Sequence, residues 1–371
     1  MKGQWIGTYS GSNAGLIIIN IDERATYFEG VAYLNESDKS LPSTAVSFKT
    51  GNKDNNFQLR TDWISPINPT TGVIDSPDKV MPFFGEGVVM PKYANITGVL
   101  TDDSLTLSWV TDIETHGSCT LPRSKAIQPS ELKPTISDWD SFRMAISKME
   151  GRRFLFRGQN QTSRLRTSFH RAGRFNLNRF VAEDIQMLHK HLSARTKHVF
   201  NLDIPNENGA FFNLVQHHGY PTPLLDWTYS PYVAAFFAYR GISDEKAMQS
   251  MPDAKVRIFA FNQELWKSDF NQLAQLLPAG PHLSVSEFLA LENERMIPQQ
   301  AASTITNIDD IESYIVSKES PDKQYLFAID LPIKDRKKVI QELEYMGITA
   351  GSLFPGLDGA CEELRERNFR N

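Results

Sequence analysis

An apolar run of Phe154, Leu155 and Phe156 leads directly into Arg157, Gly158 and Gln159. Such a run predicts a strand. At its end, arginine offers a forked cation suited to phosphate or carboxylate, and glycine lets a ligand approach the backbone. Further along, residues 216–231 read QHHGYPTPLLDWTYSP. This stretch concentrates His217, His218, Asp226, Trp227, Thr228, Tyr229 and Ser230 among turn residues. It runs into the small-and-aromatic segment Ala234, Ala235, Phe236, Phe237, Ala238. Pro231 at an early helical position, with Thr228 or Ser230 as cap, predicts a helix start there. Capping hydroxyls at a helix start suit an anion. His217 is a candidate general base. Read on a strand, His217 and His218 point to opposite faces, and no further His or Cys spacing supports a metal. Glu292, Asn293 and Glu294 place two carboxylates two residues apart.

These pieces carry a family resemblance. The run of Phe156, Arg157, Gly158 and Gln159 matches the motif that names the FRG domain, and residues 216–238 are similar to that family's longest motif. The closing residues 353–359, LFPGLDG, resemble its usual ending, with Gly356 where an Asp is common. The resemblance spans about residues 135–365. A second resemblance is to ADP-ribosyltransferases of the arginine-serine-glutamate type. These place Arg-Gly at the end of a first strand, hydroxyls before an Ala-x-x-Phe-Ala-like helix, and a Glu-x-Glu later. That resemblance implies NAD as cofactor. Phe156, Arg157, Gly158, Gln159, Asp226, Trp227, Thr228 and Ser230 would form its binding site. Arg157, His217 and Glu294 are the candidate catalytic residues, Glu294 supplying the carboxylate that stabilises oxocarbenium character at the ribose. Departures stand beside the match. The hydroxyl motif is Asp-Trp-Thr-Tyr-Ser rather than Ser-Thr-Ser, and the segment around Glu294 more closely resembles an FRG segment marked by Arg295 and Gln299 or Gln300.

The elements that must position these residues follow from patterning. Asp138 and Asp140 in a first turn after Ser137, with Trp139, Phe142, Ile146 and Met149 at helical spacing, predict a helix that Gly151 stops. Further helices are expected over roughly 177–200, 229–241 and 335–346, the last ending at Gly347. Residues 344–359 read as turn-rich.

Residues 1–125 are of another kind. Segments 15–22 and 25–33 are rich in β-branched and aromatic residues, and 96–109 reads as a hairpin turning at Asp102, Asp103 and Ser104. Short strands at regular spacing predict an antiparallel barrel or sandwich. Gly3, Trp5, Gly7 and Tyr9 are similar to the first strand of lipocalin- and avidin-like barrels, where an early Trp plugs the floor. Residues 126–134 read as a linker, and 135–371 as an α+β FRG domain with an ADP-ribosyltransferase-like arrangement.

Composition limits the remaining choices. The 371 residues suit two domains, and 40% hydrophobic with 22% charged residues is ordinary globular composition. A net charge of -5 supplies no global basic surplus for nucleic acid. This counts against a histidine-dependent nuclease, one alternative function. The two cysteines, Cys119 and Cys361, fit a reduced, cytoplasmic setting. Neither a signal peptide nor a membrane span is expected. The leading expectation is ADP-ribosyl transfer, or NAD hydrolysis, with NAD or a related nucleotide as partner and an unknown macromolecular acceptor. The β-domain is expected to bind a ligand or protein. In a bacterial setting, such a fusion suits an effector in stress or antiphage defence. The other alternative is a non-enzymatic nucleotide-binding or protein-interaction module.

Overall fold

The computed structural model describes residues 1–273 and 275–369. Nine strands form the N-terminal third: β1 (Gly3–Gly11), β2 (Gly15–Glu23), β3 (Phe28–Glu36), β4 (Thr44–Lys49), β5 (Asn56–Thr61), β6 (Ile64–Pro66), β7 (Ala94–Leu100), β8 (Ser104–Thr111) and β9 (His116–Pro122). They pair antiparallel in the order β5-β7-β8-β9-β1-β2-β3-β4-β6. Because β5 runs almost directly into β6, and Thr61 Oγ1 donates to the Ser47 carbonyl at 2.5 Å, the sheet curls into a nearly closed barrel. Alternation along each strand sends one set of side chains inward. Trp5, Ile17, Ile19, Leu105, Leu107 and Leu121 are among them, in one buried cluster. The β7–β8 turn falls where Asp102 and Asp103 predicted it.

The remaining C-terminal region is α+β. Its seven strands are β10 (Pro134–Ile136), β11 (Phe154–Gln159), β12 (Leu224–Thr228), β13 (Lys255–Asn262), β14 (Leu283–Ser286), β15 (Ala301–Thr306) and β16 (Leu326–Pro332), in the order β10-β16-β13-β11-β12-β15-β14. Successive residues of β11 and β13 point to opposite faces. Phe156, Ile258 and Ala260 pack under the helices Trp139–Ile146, Pro231–Tyr239 and Arg336–Tyr345. Leu155, Phe259 and Phe261 pack on the other side with Trp227 and Trp266.

Several expected boundaries shift. Asp138, not Ser137, caps the first helix, accepting from Ser141 N at 2.8 Å. The stretch read as linker ends in β10, which adds to the sheet edge parallel to β16. The helix expected over 177–200 breaks into short pieces and ends at Leu192. Residues 205–217, unassigned from sequence, form a helix, so Gln216 and His217 stand in its last turn rather than on a strand. Gly219, at a φ of 85°, ends it. Its N–H reaches the Gln216 carbonyl at 2.9 Å, and Tyr220 N–H reaches Val215 O at 2.9 Å. The supposedly turn-rich end contains the helices Ala350–Leu353 and Leu357–Asn368.

The two halves share a polar seam. Asp22, fully buried on β2, accepts from Arg174 Nε at 2.9 Å, Arg179 NH1 at 3.1 Å and Phe175 N at 2.7 Å. On β1, Gln4 Nε2 donates to the Asn307 carbonyl at 2.6 Å, and its Oε1 accepts from Asp309 N at 2.8 Å. No helix among the described residues is long and apolar enough to cross a membrane.

Candidate functional site

The seven-stranded sheet splits at its middle. β11 pairs with β13 along its whole length, and β12 does the same with β15. Between β11 and β12, however, only Phe156 and Thr228 are registered partners. Beyond that pair the strands part, and Arg157 occupies the gap. Its NH1 donates to the backbone carbonyl of Asp226 at 2.7 Å, an acceptor that continued strand pairing would have used. Arg157 Nε is buried without a partner. Burial pulls the Arg157 guanidinium down to about 10; Asp226 opposes this and Arg171 adds to it. The side chain therefore stays cationic at neutral pH.

Three recesses of about 470, 270 and 320 Å³ meet at Arg157. Arg171, at the end of the short helix Ser168–Arg171 capped by Thr167, lines two of them. It donates to the Arg166 carbonyl at 2.6 Å. Among the described residues no carboxylate lies within ion-pair distance of Arg157, Arg171 or Arg295. Arg164 and Arg166, by contrast, are committed to Glu131, Asp309, Asp310 and Glu312.

Asp226 is the carboxylate of this cleft. Gln216 Nε2 donates to its Oδ1, while Thr222 Oγ1 donates to Gln216 Oε1, so a relay from the 216–231 motif holds it. His217 lines the same recess, and burial lowers its pKa first of all. Its ring Nδ1 faces Asn293 Nδ2, and its carbonyl accepts from Arg295 NH1 at 3.0 Å. Opposite, Phe237 and Phe354 meet edge to face at 5.9 Å. Arg240 and Arg295 lie over the Phe354 ring at 4.0 and 5.4 Å. The cleft thus combines arginines without carboxylate partners, one held carboxylate, one largely buried histidine and an aromatic wall.

Residues 152–247 match the family model of the FRG domain. This part of the chain is an FRG domain. The match holds both the Arg157 strand and the 216–231 motif. Phe354, from the closing segment beyond it, completes the cleft. No significant match exists among curated proteins or among solved structures.

The FRG fold gives several expected site residues structural duties. Gly158 lines the cleft, but its missing side chain serves packing: a Cβ there would overlap the Ala234 carbonyl of helix Pro231–Tyr239. Thr228 is buried and donates to the Gln299 carbonyl at 2.7 Å. Ser230 caps the helix, accepting from Val233 N at 3.2 Å. Trp227 is core, its Nε1 donating to Thr304 Oγ1 at 3.1 Å. Gln159 is drawn sideways to the Ser163 carbonyl at 2.9 Å. Phe156 lines the recess from below. Glu294 is exposed and lies outside the residues lining the three recesses, because its neighbours Asn293 and Met296 are the ones that turn inward.

Sequence reasoning did not assign Arg171, Gln216, Phe237 and Phe354 to the site. Gln216 opens the long motif and Phe354 sits in the closing one, so both carried a signal. Arg171 carried none beyond its own charge.

Proposed function

We propose that the FRG domain binds NAD, or a related nucleotide, in the cleft around Arg157, and transfers ADP-ribose to water or to a macromolecular acceptor. The observation that carries this reading is the parting of β11 and β12, where Arg157 stands without a carboxylate partner beside the held Asp226. Arg157 and Arg171 supply the positive charge a pyrophosphate needs. Phe237, which lines two of the recesses, offers aromatic surface for a base. In the reaction the bond between ribose C1′ and the nicotinamide nitrogen breaks, and its electron pair leaves with nicotinamide. An oxygen or nitrogen of the acceptor bonds to C1′ and releases its proton to solvent. Asp226, held by Gln216, stabilises positive charge developing at the ribose. On this reading the barrel is the sensor and the FRG domain the effector, an arrangement suited to stress or antiphage defence.

A second reading keeps the pocket and drops the turnover. It is favoured by the exposed position of Glu294 and by the Gln216 hydrogen bond already on Asp226.

Labelled NAD incubated with the protein, alone and in lysate, decides between them. Nicotinamide release or label transfer is expected from the native chain. It should fall about 100-fold or more in Arg157→Ala and Asp226→Asn, and remain in Glu294→Gln. Calorimetric binding without turnover supports the second reading. Absence of both binding and turnover overturns the NAD assignment.

A further inference from the structure

The segment that carries Arg171 is held from the barrel on both of its flanks. Before it, Arg166 Nε donates to Asp309 Oδ1 at 2.6 Å. The Asp309 N–H is bound in turn by Gln4 Oε1 of β1 at 2.8 Å. After it, Asp22 of β2 accepts from Arg174 Nε at 2.9 Å, Phe175 N at 2.7 Å and Asn176 N at 3.3 Å. Gln4, Asp22 and Asp309 are 4%, 0% and 4% exposed. Hydrogen bonds to buried charges resist breaking, because the charge left behind has neither solvent nor partner.

The contacts do not stop at the seam. Arg166 NH2 donates to the His170 carbonyl at 3.1 Å, and the Arg166 carbonyl accepts from Arg171 NH1 at 2.6 Å. Arg171 is thereby fixed where it lines two of the recesses beside Arg157. A second branch leaves from the helix Ser168–Arg171. Thr222 N donates to Ser168 Oγ at 3.0 Å, and Phe169 N donates to the Thr222 carbonyl at 3.1 Å. Thr222 Oγ1 donates to Gln216 Oε1, and Gln216 Nε2 to Asp226 Oδ1. Hydrogen bonds and short stretches of backbone thus join β1 and β2 to one cation and to the held carboxylate of the cleft.

We infer that Gln4 and Asp22 of the barrel are positioning residues of the cleft: through residues 166–176 they set where Arg171 and Asp226 stand. The inference rests on the nucleotide reading of that cleft and gives it a means of regulation. A barrel that only docked would end its contacts at residues 174–179 and 307–309. Here a shift of β1 against β2 is carried to both charged groups. The linkage is reciprocal: whatever loosens the seam weakens an anion at Arg157 and Arg171, and a bound anion tightens the seam by the same factor.

The test compares hydrogen exchange in the full native chain and in Gln4→Leu, which keeps the bulk and gives up the hydrogen bonds. The Phe169 and Thr222 amides report on the path; the amides of β13 lie in the same sheet but off it. Exchange at Phe169 and Thr222 is expected to quicken about ten-fold, with β13 unchanged. No change at Thr222 overturns the inference, as does equal quickening in β13, the mark of a general loss of stability. Asp22→Asn, read in the same way, serves if Gln4→Leu does not fold. Calorimetry with inorganic pyrophosphate supplies a second readout. Gln4→Leu should weaken its binding about five-fold in the native background and not at all beside Arg171→Gln; equal weakening in both backgrounds overturns the inference. If neither pyrophosphate nor NAD binds the native chain, the nucleotide reading falls, and the exchange comparison on the ligand-free protein still decides whether the barrel positions the cleft.

Discussion

In the barrel, isoleucines, leucines and valines wall a cavity in which the buried Tyr9 and Glu36 stand beside each other. In the FRG domain, recesses meeting at Arg157 are lined by further arginines and a held aspartate. The first is an apolar enclosure, the second a cleft rich in arginines without carboxylate partners. The difference begins with the strands. The continuous β1–β2 and β2–β3 pairings turn alternate residues into a nearly closed interior. The parted β11 and β12 open backbone and side chains to whatever enters between them. One chain thus uses complete and incomplete pairing to make opposite kinds of pocket.

The contrast is broken most severely at the seam. Asp22→Ala leaves Arg174 and Arg179 without their shared buried carboxylate. It should destabilise the protein by about 3 kcal/mol, seen as a lower denaturation midpoint. Native-state hydrogen exchange should show loss of protection on both sides, β2 and residues 174–179. Loss confined to one side would mean that the halves are held elsewhere.

Acid should separate the two regions. His170 and His282, both buried in the C-terminal α+β region, have pKa values pulled by burial to about 3 and about 4. Their folded values lie below the unfolded 6.5, so the stability they contribute is present above pH 6.5 and is lost as pH falls. Between pH 6.5 and 5.5 each should cost about 1 kcal/mol. Glu36 in the barrel has the opposite sign: its folded pKa is raised, so its contribution is present below 4.5 and lost as pH rises through the raised value. Thermal melts at stepped pH should show the slope, and His170→Gln or His282→Gln should flatten it.

Two smaller tests sharpen the contrast. Arg157→Lys keeps the charge but loses the fork, and nucleotide affinity should fall about ten-fold. Raising salt from about 0.05 to about 0.5 M should weaken nucleotide binding several-fold through screening, while binding of a neutral apolar dye to the barrel cavity holds or tightens. If both sites respond alike to salt, the division between charge and shape is wrong.

Much of this was legible locally. Trp5, the β-rich 15–22 and 25–33 segments and the Asp102-centred hairpin announce the barrel through patterns a few residues long. Arg157, Asp226 and His217 were readable as a group because the motifs that carry them are long. What could not be read was set at a distance. Glu294 had the right spacing, but the inward positions in its loop went to Asn293, through its contacts with Asn213 and His217, and to the buried Met296. Gly158 looked like room for a ligand, whereas Ala234 fills that room. The helix Leu357–Asn368 was hidden by Gly356 and Gly359, residues read as turn formers. Gly359 is used there for close contact, since a Cβ would meet the Phe354 carbonyl.

The Asp22 and Gln4 contacts bear on how this barrel could be reused. A gene segment cut at residue 125 would carry a carboxylate shaped to receive two arginines it no longer has, and a glutamine whose acceptors stay behind on Asn307 and Asp309. The transplantable cassette is therefore larger than the folded sheet. It includes residues 174–179 and 307–309, or substitutes for them on the new host. A fusion that respects only the sheet boundary should be poorly behaved even though every strand of the barrel is present.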